Sequence, residues 1–168
     1  MALGSVAPAY AATGTATITA GTLAFVSTPP NVSFTATLNG ADQTVTQTQA
    51  LDVSDATGSG TGWNITATST TFTAGAKTLA TTSTTVTATP ATACDAGATC
   101  TLATNAIAYP YTLPAATTAP TATKLFNAAV NTGIGNETVT PTWRLSVPAA
   151  TFAGTYTSTW TMSLVSAP

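Results

Sequence analysis

Very few side chains in this sequence are able to take part in acid–base or nucleophilic chemistry. The 168 residues contain no histidine, three basic side chains and five carboxylates. Without an imidazole the chain has no Ser-His-Asp triad and no histidine base. The carboxylates are too scattered along the sequence to predict a catalytic pair. They are Asp42, Asp52, Asp55, Asp95 and Glu137. We therefore expect a protein that is not an enzyme and needs no cofactor.

Two of these carboxylates precede a glycine-rich segment, residues 58–62, which raises the question of calcium. Calcium coordinates carboxylate and carbonyl oxygens, so Asp52 and Asp55 are candidate ligands. Their spacing does not match the EF-hand loop. Aspartates beside glycines also cap turns by accepting backbone N–H groups, and this second interpretation is the one we favour.

The two cysteines indicate the redox environment of the protein. Cys94 and Cys100 enclose a short segment of small residues, Asp-Ala-Gly-Ala-Thr. Such a pair closes as a disulfide in an oxidising compartment. The alternative, a zinc site, would need further ligands, and the chain has neither histidine nor a second cysteine pair. We predict a structural disulfide and an extracellular location.

The first eleven residues carry a possible processing signal. Ala9-Tyr10-Ala11 fits the small-x-small pattern that precedes a signal-peptidase cleavage site. This pattern predicts that residues 1–11 are the remnant of a secretory signal peptide and that residues 12–168 form a single domain. The alternative is an ordinary flexible terminus.

Composition limits the partners of the chain. Charged residues make up 5% of the sequence, against about 25% in ordinary soluble domains. The basic residues, Lys77, Lys124 and Arg144, are too few for a basic patch, so we expect no nucleic-acid partner. No apolar run approaches the roughly 20 residues that a membrane-spanning helix needs. The polar surface must be rich in threonine, which gives little charge repulsion against self-association.

Alternation of apolar and polar residues is the main structural signal. Residues 156–164 place most of their bulky side chains at even positions, which is typical of a strand with one buried face. The same pattern predicts a strand at 32–38, a hairpin turn at Asn39-Gly40 and a return strand over 43–53. Residues 13–27 alternate loosely and predict a first strand.

This pattern recurs along the chain with turn residues at regular spacing. It predicts an all-β fold, an antiparallel β-sandwich of the immunoglobulin-like or jelly-roll-like kind, with about eight to ten short strands. One segment, residues 123–130, is compatible with a short helix.

Three tryptophans share one arrangement, in which each stands two places before an aliphatic residue or methionine. The triplets are Trp63-Asn-Ile65, Trp143-Arg-Leu145 and Trp160-Thr-Met162. Tryptophan at such positions most often packs in a core, and we expect at least one of the three to do only that. The alternative is an aromatic platform for a sugar ring, so all three are candidate ligand-binding residues.

Two stretches resemble the signatures of the WxL cell-surface domain. Residues 53–65 contain an aspartate, a glycine-rich turn and Gly62-Trp63-Asn-Ile65. Residues 145–168 contain Val147-Pro148, then Ala-Gly-Thr-Tyr, and end in the Trp160 strand and Ala-Pro. The resemblance covers about residues 22–168. It implies a secreted bacterial β-domain at the cell surface that associates non-covalently with the cell wall, with peptidoglycan as its partner.

Self-assembly is the main alternative to wall binding. Charged side chains on edge strands normally prevent pairing between copies, and this chain has few of them. The threonine-rich residues 13–25 would be able to add to the sheet of a neighbouring copy, which would make the protein a subunit of an extracellular filament or coat. A third hypothesis is ice or mineral binding by the Thr-x-Thr rows at 13–19 and 44–48.

Overall fold

The computed structural model describes residues 1, 4 and 7–168, which form an all-β structure with fourteen strands. Residues 2, 3, 5 and 6 of the predicted signal remnant lie outside the described residues. The strands are β1 Leu23–Phe25, β2 Gln43–Thr48, β3 Leu51–Asp55, β4 Trp63–Thr70, β5 Thr73–Ala74, β6 Lys77–Thr78, β7 Thr84–Val86, β8 Ala91–Cys94, β9 Tyr111–Thr112, β10 Ala115–Ala116, β11 Thr123–Ala128, β12 Gly135–Thr140, β13 Thr142–Val147 and β14 Trp160–Ser166. The predicted all-β class and packed antiparallel sheets are confirmed.

The structure has more strands than the eight to ten predicted, because long strands are interrupted. β2 and β3 follow one another with a break at Gln49-Ala50, and β12 and β13 follow one another with a break at Pro141. Proline has no N–H to give to a ladder, and the Pro141 carbonyl instead accepts a hydrogen bond from the Gln49 N–H at 3.1 Å. These two breaks lie side by side, so the sheets β1-β3-β12-β8 and β2-β13-β7-β9 form the two halves of one bent layer.

The second layer is built around β4. This strand pairs antiparallel with β14 and with β11, and its last residues pair in parallel with β10. Both β2 in the first layer and β14 in the second pair with only one neighbour, β13 and β4 respectively. β2 and β14 are therefore edge strands, each with one side that has no strand partner.

The core lies between the two layers and is formed by the inward positions of the alternating strands. Trp63, from the second layer, is completely buried, and its indole N–H donates to the Gly133 carbonyl at 2.8 Å. A Cβ at Gly133 would lie 2.6 Å from the indole nitrogen, so only glycine fits beneath this ring. The other fully buried large side chains include Leu51, Val53, Ile65, Phe126, Val139 and Trp143.

The short helix predicted at 123–130 is wrong, because this segment forms β11. Its last four residues are all buried, and it pairs with β4 through a register shift between Lys124 and Phe126. Pairing with a central strand outweighs local helix propensity here. No helix occurs in the described part of the chain, so it contains none that is long and apolar enough to cross a membrane.

Two predicted strands are shorter or absent. Of the first predicted strand, only Leu23–Phe25 joins a sheet, while residues 7–20 are exposed along their whole length. The segment 32–38 keeps the predicted alternation of exposure over Val32 and Phe34 but belongs to no sheet. The return strand is confirmed as β2 and β3, with Val45, Leu51 and Val53 on the inward side.

The predicted disulfide between Cys94 and Cys100 is confirmed, with 5.6 Å between the two Cα atoms. Cys94 ends β8, and the residue after Cys100, Thr101, forms a bridge to Ile134. The backbone of Gly135 passes directly under Cys100, where an added Cβ would lie 3.2 Å from the Cys100 Cα. The bond therefore fixes the loop against the start of β12.

Replacing both cysteines by serine should lower the free energy of unfolding by about 2 kcal/mol, because the closed loop is short. Urea denaturation of the wild type and of the double variant measures this difference. The wild type unfolded in the presence of a reductant serves as the control and should match the variant. Equal stabilities in all three samples would show that the bond constrains nothing in the unfolded chain.

Candidate functional site

Two of the three candidate tryptophans are core residues. Trp63 and Trp143 both have 0% exposure, and both indole N–H groups are hydrogen bonded inside the protein. A sugar ring needs an accessible aromatic face, and neither ring offers one. We therefore reassign Trp63 and Trp143 from candidate ligand-binding residues to the core.

Trp160 is different because it is only half-buried and borders open space. Its ring lies edge-on to Trp143, with 4.8 Å between the centroids. Phe72 and Phe34 stand at 6.3 Å and 6.4 Å from it. Trp160, Phe72 and Phe34 of this aromatic cluster line a groove in the described structure.

The groove has a volume of about 940 Å³ and opens between two irregular stretches, residues 29–38 and 151–159. Its apolar floor comes from both layers: Val45 of β2, Leu145 and Val147 of β13, and Met162 of β14. None of the described residues that line it carries a formal charge. At the rim, the Lys77 ammonium lies 3.8 Å from the centroid of the exposed Phe152 ring.

One wall of the groove, residues 29–38, is a stretch of chain with strand-like sequence and no strand partner. We call it the unpaired segment. It makes no backbone–backbone hydrogen bond in the described structure. Instead it runs beside β2 and is held at both ends by glutamine side chains. Gln49 Nε2 donates to the Pro30 carbonyl at 2.7 Å, and Gln43 Nε2 donates to the Thr37 carbonyl.

Two features of the unpaired segment explain why its backbone does not pair with β2. Pro29 and Pro30 have no N–H to offer a ladder. Phe34 turns toward the second layer, where it packs edge-on against Phe72 at 6.4 Å and against Trp160. The segment thus crosses the open side of the sandwich between β2 and β14, which are both edge strands.

Gln49 is a site residue that the sequence did not reveal. It is 5% exposed, and its side chain makes two hydrogen bonds. Its Oε1 accepts from the Trp143 indole N–H at 2.8 Å, while its Nε2 holds the unpaired segment. Gln49 is one of three glutamines at residues 43–49, and no pattern in this stretch distinguishes it from Gln47.

The two calcium candidates, Asp52 and Asp55, are not brought together by the fold. Asp55 faces inward with Leu51 and Val53, whereas Asp52 faces outward, so their carboxylates lie on opposite faces of β3. Asp55 Oδ1 accepts hydrogen bonds from the Thr57 N–H and hydroxyl, at 3.0 Å and 2.6 Å. It therefore caps the turn into the glycine-rich loop. Among the described residues no group of three or more acidic, cysteine or histidine side chains is placed to hold a metal ion.

A buried carboxyl for which the sequence analysis predicts no role lies in β12. Glu137 is 0% exposed, and its Oε2 accepts from the Ala103 N–H at 2.9 Å while its Oε1 has no partner. Burial raises the pKa of Glu137, opposed by the Ala103 N–H and reinforced by the charge of Asp95. Burial and the neighbouring Asp95 likewise raise the pKa of Asp52. Glu137 ties the loop after the disulfide to the sheet.

Neither a scan of protein-family models nor searches of curated proteins and of solved structures gives a match for this chain. The fold and the groove therefore define the class: a disulfide-bonded β-sandwich with an open, uncharged groove at its edge. The resemblance to the WxL domain stays a prediction from the residues.

Replacing Glu137 by Gln should flatten the pH dependence of stability. Because the pKa of Glu137 is raised on folding, its contribution to stability is full below the ordinary carboxyl pKa. That contribution is lost as pH rises through the value in the folded protein. The free energy of unfolding of the wild type should accordingly fall with rising pH. That of the Glu137→Gln variant should fall less over the same pH range. Urea denaturation across a pH series measures both slopes, with Asp52→Asn to measure the part due to the second carboxyl. Identical slopes for wild type and Glu137→Gln would contradict this assignment.

Proposed function

We propose that this chain is a non-enzymatic extracellular structural subunit that assembles with copies of itself by adding an extended strand to its groove. The observation that carries the proposal is the unpaired segment. A stretch with strand alternation lies between β2 and β14, beside an apolar groove, and makes no backbone–backbone hydrogen bond in the described structure. Strand addition supplies the missing backbone partners and fills alternate side-chain pockets.

The shape of the groove favours an extended chain over a small ligand. Its floor is formed by inward residues of strands from both layers, and its wall is a stretch of ten residues rather than a closed ring. Free N–H and C=O groups along the edges of β2 and β14 offer a ladder to a strand. An isolated sugar or small molecule would leave most of these groups unused.

The surface composition supports assembly as well. With 5% charged residues the surface offers little repulsion between copies. The disulfide is compatible with an oxidising, extracellular setting. An exposed edge in such a protein is not protected by the charged side chains that normally prevent edge-to-edge pairing.

Blocking the groove should prevent assembly. Val45→Asp places a carboxylate on the groove floor, whereas Thr48→Asp, the matched control, places one on the outer face of the same strand. We expect wild type and Thr48→Asp to form fibres or sheets in negative-stain microscopy and Val45→Asp to remain monomeric by light scattering. A thermal melt of each variant verifies folding. Equal assembly of both variants, or a wild type that stays monomeric at high concentration, would contradict the proposal.

Association with the cell wall is the second candidate function. The position of Trp160 at the groove favours it. Trp160 is the one predicted ligand-binding tryptophan that borders the groove, and its triplet belongs to the stretch that resembles the WxL domain. An uncharged groove with an aromatic base and hydroxyl-bearing walls suits a polysaccharide such as peptidoglycan. The same groove would then receive a glycan strand in place of a protein strand.

Co-sedimentation separates the two candidates. The protein is spun with insoluble peptidoglycan and, in a second tube, alone. Pelleting only with the wall material, reduced several-fold in Trp160→Ala, is the result that wall binding requires. Pelleting in both tubes is the result that self-assembly requires. Protein that stays in the supernatant of both tubes would count against both candidates.

A further inference from the structure

We infer that the strand which enters the groove is residues 13–20 of a second copy of this chain; this inference rests on the proposed function. These residues are exposed throughout and make no hydrogen bond to the rest of the described structure. They form an uncharged stretch that alternates regularly. The described structure thus has a groove that borders unpaired strand edges and, at residues 13–20, an alternating stretch that belongs to no sheet.

The two faces of this stretch differ in the way that a donor strand requires. In extended conformation Gly14, Ala16, Ile18 and Ala20 share one face, and the four threonines share the other. Ile18 is 94% exposed, an unusual position for a large aliphatic side chain. On insertion the Ile18 side chain would meet the apolar floor, and the small residues on either side would allow close approach. The threonines would face solvent.

The beginning of the structured domain sets the limit of the donor. The donor segment predicted from the sequence, residues 13–25, is too long. Its last part, Leu23–Phe25, already forms β1, which is paired with β3 of its own layer. The Gly21 N–H donates to the Ala56 carbonyl at 2.8 Å, which anchors the chain just before β1. Only residues before Gly21 are therefore free to leave.

The direction in which the donor leaves favours a second copy over its own groove. Gly21 is anchored beside the glycine-rich loop, which contacts the end of β14 through Gly62 and Ala167. The groove, in contrast, is lined by the start of β14, at Trp160. Those two ends of the strand are about 20 Å apart. Since β1 runs toward the groove, the residues that precede it point away, and self-insertion would need a full reversal at Gly21.

Donor and groove at opposite ends of one subunit generate a head-to-tail arrangement. Each copy gives a strand at one end and receives one at the other, so the contact is heterologous and does not close on itself. Such contacts produce an open filament rather than a closed dimer. The donor and the groove lining are chemically compatible, because both are uncharged and both are apolar on the sides that would face each other.

Disulfide trapping between full-length variants tests the inference directly. The native cysteines are bonded to each other, so introduced thiols react without competition. Ile18→Cys and Met162→Cys proteins are mixed and mildly oxidised, then separated on a non-reducing gel. We expect a cross-linked dimer, and a several-fold weaker one when Thr17→Cys, on the opposite donor face, replaces Ile18→Cys. Equal cross-linking from both positions would overturn the inference. So would a link formed within single chains of an Ile18→Cys, Met162→Cys double variant.

A second comparison separates failure of this inference from failure of the proposed function. Ile18→Asp should abolish assembly, while Thr17→Asp should assemble like the wild type. Both residues are exposed, so we expect both variants to fold. If Val45→Asp blocks assembly but Ile18→Asp does not, the groove receives some other strand and residues 13–20 are not the donor. If neither variant changes assembly, both the groove and the donor are wrong.

Discussion

The hydrogen bonds of Gln49 are the interaction on which the open side of the sandwich depends. Its backbone N–H bonds to Pro141, its Oε1 to the Trp143 indole and its Nε2 to Pro30. The first of these bonds joins the two strand breaks, the second satisfies a buried indole and the third holds the unpaired segment. A buried polar side chain must satisfy both its donor and its acceptor, and here each goes to a different part of the edge. One amide therefore links the bend of the layer, the aromatic cluster and the groove wall.

The sequence predicts the class of fold well because alternation directly reports which side chains face inward. It predicts β2, β3 and the final strand for this reason, and it predicts the disulfide from the short, small-residue spacing of Cys94 and Cys100. Alternation does not report whether a strand has a partner. Val32–Leu38 carries the pattern and the Asn39-Gly40 turn but remains unpaired, because Phe34 packs across the sandwich rather than along it.

The candidate site was harder to predict, because its residues become significant only through contacts between distant parts of the chain. Trp63, Trp143 and Trp160 occupy equivalent triplets, yet only Trp160 starts an edge strand and borders the groove. Gln49 lies in the break between β2 and β3, and Glu137 lies in β12; the sequence around each gives no sign of its hydrogen bonding. Their roles follow from what is packed against them, namely Pro30 for Gln49 and the loop at Ala103 for Glu137.

The uncharged lining of the groove also has a kinetic consequence. Fast protein association relies on long-range attraction between opposite charges, which guides partners together and weakens as salt is added. Apart from the Lys77 ammonium at its rim, this groove offers no such guidance. A partner strand would have to find it by unassisted diffusion, at the ordinary rate of about 10⁵–10⁷ M⁻¹s⁻¹. Selectivity among partners would then arise after contact, from how long a correctly shaped strand stays bound.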